Sequence, residues 1–126
     1  MNTGTPEQVI ERFSTLLARS DLDALVDLYE PDAVFAPQPG QTVTGRAAIR
    51  AALTGFLELR PEMNGEIQEV LVSEDTALVS NRWSLRGTAP DGAAVEMGGM
   101  SSDVMRRGPD GAWRIVIDNP WGHVHR

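Results

Sequence analysis

The chain has no cysteine. That removes disulfides, thiolate nucleophiles and cysteine metal sites together. Lysine is also missing: all 11 basic residues are Arg, so no lysine Schiff base can form. Tyr29 is the only tyrosine, and both histidines, His123 and His125, fall in the last four positions. Chemistry is left to carboxylates, Arg, hydroxyl and amide side chains, Trp, backbone groups and the histidine tail. No apolar run reaches the roughly 20 residues that span a bilayer. The start, MNTGTPEQ, has neither a basic nor an apolar leader region, so the expected location is cytoplasmic. A net charge of −7, with arginines scattered along the chain, gives no basic stripe for nucleic acid and no attraction to an anionic membrane.

The 126 residues, 41% hydrophobic and 23% charged, suit one globular domain over 1–126 with a single core. Thr5-Pro6-Glu7-Gln8 is a capped helix start, followed by an apolar stripe of Val9, Ile10, Phe13, Leu16 and Leu17. Ser20 or Asp21 caps a second helix. It turns Leu22, Leu25, Val26, Leu28 and Tyr29 inward and stops at Pro31. Ala33–Ala36 is a short strand, the Pro37–Gly40 stretch a loop, and Thr44 the cap of a third helix.

The period then changes. Glu66–Val72 and Thr76–Arg86 alternate, with Ala77, Val79, Asn81, Trp83 and Leu85 on one face. Val95–Arg107 reads as one long strand with a Gly98-Gly99 pair inside, and Ala112–Asp118 as the last strand. Turns at Pro90-Asp91-Gly92 and Pro109-Asp110-Gly111 connect them. Helices first and hairpin-linked strands afterwards define the α+β class.

The order of DLDALVDLYEPDAVFAPQPG, TGRAAI and DGAWRIVIDNPWG resembles the nuclear transport factor 2-like superfamily. Ketosteroid isomerases, scytalone dehydratase and the SnoaL-like polyketide cyclases belong to that group. The resemblance covers roughly residues 5–122. It implies a cone: a strongly curved antiparallel sheet closed by three N-terminal helices around an apolar pocket, a cystatin-like α+β roll. It also implies a homodimer through the outer sheet face, a small apolar organic ligand and no cofactor. Ketosteroid isomerase carries a Tyr in its first helix, an Asp after its first strand and an Asp in its penultimate strand. On this chain those places hold Phe13, a position at or near Pro37, and Asp103. Two of three groups are missing, so steroid isomerisation by that route is not expected.

Asp103 shares a strand face with Ser101 and Met105, and the resemblance turns that face into the cavity. A carboxyl in an apolar pocket has a raised pKa and suits acid–base work or donation to an oxyanion. The other reading is an Asp paired with an Arg or facing solvent. Asn81 and Trp83 can bind a ligand carbonyl and stack on a ring, or serve as ordinary core. Phe13, Phe35, Met97, Ser101, Met105, Asn119 and Trp121 complete the expected lining, and for the methionines core packing is the simpler reading. Alternation along the last strand puts Asn119 inward and Asp118 outward, toward an ion pair with Arg82, Arg106 or Arg114, while a site role for Asp118 stays open. The loop at 37–41 shapes the rim. No metal site is expected: residues 123–126 read as a loose tail, with His123 at the pocket mouth as the other reading. The expected function is acid–base chemistry on an apolar carbonyl compound through Asp103. The alternatives are a non-catalytic binder of a hydrophobic metabolite and a dimeric accessory module.

Overall fold

A computed structural model describes residues 3–122. Its elements are α1 (Pro6–Ala18), α2 (Leu22–Asp27), β1 (Tyr29–Gln38), β2 (Gln41–Thr44), α3 (Arg46–Leu57), β3 (Glu62–Ser73), β4 (Thr76–Thr88), β5 (Ala94–Met100), β6 (Ser102–Arg107) and β7 (Trp113–Asn119). The strands form one curved, open sheet in the order β2-β1-β7-β6-β4-β3, with β5 also on β4. All pairings are antiparallel except β1 with β7.

The expected capping box starts α1. The Thr5 hydroxyl accepts the Gln8 N–H at 3.2 Å, and the Gln8 side chain accepts the Thr5 N–H at 3.1 Å. Such a cap is worth about 1 kcal/mol. The helix buries Val9, Leu16 and Leu17. It packs across β3 and β7, while α3 lies along β1. The core therefore lies between the helices and the inner sheet face, where Phe35, Ile49, Leu53, Val79 and Ile115 meet. Among the described residues no helix is long and apolar enough to cross a membrane.

Several boundaries differ from the sequence expectation: β1 runs over Tyr29–Gln38 rather than Ala33–Ala36, and β3 begins at Glu62 rather than Glu66. Helix α2 stops at Asp27, not at Pro31, because the sheet captures the chain first: the Ile115 N–H donates to the Leu28 carbonyl at 2.8 Å, and Tyr29 pairs with Ile115. Pro31 then falls in a register irregularity of β1, where its missing N–H costs no ladder bond. Thr44 pairs with Val34 as the end of β2, and Gly45, at φ 90°, takes the N-cap of α3. The strand expected over Val95–Arg107 is interrupted at Ser101. Its N–H still donates to the Asn81 carbonyl at 2.8 Å, so the pairing with β4 continues in register while the chain bends.

Candidate functional site

Two carboxyls face each other across the β6–β7 ladder. Asp103 and Asp118 are direct cross-strand partners, both buried, and their side chains hydrogen-bond each other. The simple alternation of β7 sends Asp118 outward, but the strand carries a bulge. Met105 pairs with Ile115 and Val104 with Ile117, so Val116 is an extra residue on β7. An extra residue inverts the facing of everything beyond it. Ile117 becomes 41% exposed and Asp118 turns inward. The expected outer ion pair of Asp118 is therefore not formed: Arg106 pairs with Glu30 at 2.9 Å and Arg114 with Asp110 at 2.8 Å.

Tyr29 completes the cluster. Its phenol donates to Asp118 Oδ2 at 2.5 Å. The Arg46 guanidinium holds the same residue's carbonyl through two donors, at 2.6 and 3.0 Å. Asp103 accepts the backbone N–H of Asn119 at 3.0 Å and is hydrogen-bonded by Ser101. The Ser101 hydroxyl also accepts the Asn81 N–H at 3.1 Å. A polar line therefore crosses the inner sheet face from Asn81 through Ser101, Asp103 and Asp118 to Tyr29.

Burial pushes the Asp103 carboxyl well above its usual range, and the neighbouring Asp118 charge adds to it. Burial also raises Asp118, against the hydrogen bonds from Tyr29 and Asp103 that favour its anion. The Tyr29 phenol is pushed up by burial and then by Asp118. Two carboxyls this close cannot both ionise easily, and they titrate as a pair. The hydrogen bonds from Tyr29 and Asp103 favour the anion on Asp118, and burial beside that charge favours the proton on Asp103.

This pair opens onto a cavity of about 70 Å³. Its helical side is Ile10, Phe13, Ser14 and Leu17 of α1 with Leu53 and Phe56 of α3, and its sheet side includes Phe35, Asn81, Trp83, Ser101 and both Asp residues. Trp83 and Trp121 meet edge to face, with centroids 5.4 Å apart. Their indole N–H groups donate to backbone carbonyls, Trp83 to Pro120 at 2.6 Å and Trp121 to Ala36 at 3.1 Å, so they offer a ligand apolar ring surface. Among the described residues, none that lines the cavity is Arg or His. A second, outer cleft of about 220 Å³ lies beside the loop at Pro39–Thr42, and Asp118 and Trp121 border both spaces.

Of the residues expected in the lining, Phe13, Phe35, Asn81, Trp83, Ser101, Asp103 and Trp121 border the cavity. Met105 is wholly buried in the core, and Met97 packs against it from the edge. Neither borders the cavity: Met105 lies on β6 between its cross-strand partners Ala77 and Ile115, and Met97 sits on β5. Asn119 is turned away by the bulge: its side chain donates to the Gly122 carbonyl at 2.8 Å and borders the outer cleft. His123 lies outside the described residues. Among the described residues no group of three His, Cys, Asp or Glu could hold a metal ion. Tyr29 was missed as a site residue because its apolar helical spacing placed it in α2. Its standing as the only tyrosine was the available signal.

A family model for the SnoaL-like domain matches residues 10–116, and the chain belongs to that family. Solved structures agree on the fold. A protein from Novosphingobium aromaticivorans described as NTF2-like with a cystatin-like fold is 25% identical, with TM-score 0.73, over 88% of this chain and 75% of its own. A ketosteroid isomerase-like protein from Erwinia carotovora atroseptica is 22% identical, with TM-score 0.77, over 89% and 88%. A protein from Catenulispora acidiphila solved in complex with S-DNPA is 22% identical, with TM-score 0.70, over 89% and 86%. No curated protein matches the sequence.

Proposed function

We propose that the cavity binds a small apolar carbonyl compound and that Asp103 and Asp118 act on it as an acid–base pair. The observation that carries this reading is a pair of buried carboxyls, opposite each other on β6 and β7, bordering a largely apolar space. The ionised Asp118 takes a proton from the carbon next to the carbonyl. Asp103 gives its proton to the carbonyl oxygen, and the product is an enol. The pair holds one proton before and after, so its charge is unchanged and no buried charge is created. Return of a proton to the same or a different carbon gives exchange or isomerisation. Tyr29 lies behind Asp118 and holds the anion in place, so it is a positioning residue. A fold relative solved in complex with S-DNPA supports a ligand-binding reading.

The test is deuterium incorporation into cyclohexanone in heavy water, followed by NMR. Asp103→Asn and Asp118→Asn are each expected to slow protein-catalysed exchange at least about 100-fold. Unchanged exchange in either variant would remove that residue from the mechanism. Binding without any exchange by the native protein would favour the non-catalytic binder instead.

A second proposal concerns assembly. Leu71, Leu78, Val104, Ile117 and Val34 are successive cross-strand partners on the outer face, forming one apolar row across β3, β4, β6, β7 and β1. Leu71, Leu78 and Ile117 are 54%, 44% and 41% exposed. An uncharged row of this kind is suited to a second copy of the chain, as a homodimer through the outer sheet face.

A further inference from the structure

The polar line on the cavity wall ends in an atom without a partner. Asn81 is 7% exposed, and its Oδ1 is buried with no hydrogen bond among the described residues. Its backbone is well used: the carbonyl accepts the Ser101 N–H and the N–H donates to the Ser101 hydroxyl. The side chain lies flat over Gly65 of β3, where a Cβ would come within 3.0 Å of both amide ends. Gly65 thus makes room for the amide without bonding it. A buried acceptor left unpaired is destabilising, and Asn81 is one of the residues that border the cavity.

From the unpartnered Asn81 Oδ1 and the absence of any cation among the described lining residues, we infer that the ligand is not an anion and carries a hydroxyl or N–H donor, in addition to the group presented to Asp103 and Asp118. Asn81 is then the residue that selects the ligand. The inference rests on the proposed carbonyl-binding reading and narrows it from apolar ketones to hydroxylated or N–H-bearing ones. An anion is disfavoured for two reasons. Among the described residues neither Arg nor His borders the cavity to pair with it, and the carboxyl pair repels it.

Three ring ketones of similar size separate the cases, with binding read from the fluorescence of Trp83 and Trp121. The native protein is expected to bind 4-hydroxycyclohexanone about tenfold more tightly than cyclohexanone. It should bind 4-oxocyclohexanecarboxylate at least about tenfold more weakly than cyclohexanone. Asn81→Leu, of similar shape, should erase the hydroxyl preference, so that the hydroxylated and plain ketones bind alike. It should also raise Tm by about 3 °C, because an unpaired buried acceptor is removed. Equal binding of the hydroxylated and plain ketones by the native protein overturns the inference and leaves the carbonyl reading standing. So does preference for cyclohexane-1,4-dione over the hydroxyketone, since the amide N–H would then face the ligand. A fall in Tm for Asn81→Leu would make Asn81 a structural residue and likewise overturn it. If no ketone binds the native protein, both readings fall together.

Discussion

At the scale of single residues, the chemistry depends on which carboxyl keeps the proton. Asp103 has the greater reason to, because it is buried and faces the charge that Tyr29 stabilises on Asp118. The consequence for stability has a definite sign. With its folded pKa raised above about 3.9, Asp103 binds more proton in the native state than in the unfolded chain across that interval. Stability is therefore lost as pH rises from about 3.9 to the raised folded value, and is flat above it. Asp103→Asn replaces the carboxyl by a neutral amide that can still accept from the Asn119 N–H. The expected result is a variant whose Tm advantage over the native protein is smallest near pH 4 and grows toward neutrality. Thermal melts across that range check it, and a pH-independent difference would show that Asp103 is not held protonated.

At the scale of elements, the site is a consequence of one inserted residue and one bent strand. Val116 at the β7 bulge turns Asp118 inward, and the interruption at Ser101 brings its hydroxyl onto Asp103 and Asn81. Neither device has a signature in a chain read by strict alternation. By contrast, the faces of β4 were legible, because Ala77, Val79, Asn81, Trp83 and Leu85 alternate cleanly and the strand runs without a bulge from Asn81 to Thr88. The glycines report on this packing. A Cβ on Gly98 would lie 2.7 Å from the Trp83 carbonyl oxygen, a backbone atom that cannot step aside. Gly98→Ala is expected to destabilise by about 1–3 kcal/mol and to disturb Trp83. Gly55, in the last turns of α3, has open space around its Cβ direction. Gly55→Ala should stabilise by about 0.5 kcal/mol. Denaturant titrations of the two variants should move in opposite directions, and a stabilised Gly98→Ala would contradict the close packing of β5 on β4.

At the scale of the whole molecule, an open sheet has two faces to cover. The helices cover the inner one, and the apolar row from Leu71 to Val34 leaves the outer one suited to a second copy. Leu78→Glu at the middle of that row is expected to shift the protein from dimer to monomer in sedimentation, with the fold intact because Leu78 is 44% exposed. A native protein that sediments as a monomer would remove the dimer proposal. Local patterning was enough for the α+β class, the start of α1 and the inward face of β4, because each depends only on spacing along the chain and on the cost of exposing apolar side chains. The end of α2, the direction of Asp118 and the role of Tyr29 depended on contacts between residues far apart in sequence. Tyr29 and Asp118 are separated by 89 positions, and only the parallel pairing of β1 with β7 brings phenol and carboxylate to 2.5 Å. Spacing along the chain carries no information about which strands become neighbours or where a bulge inverts a face, so the carboxyl pair and its tyrosine belong to the folded molecule alone.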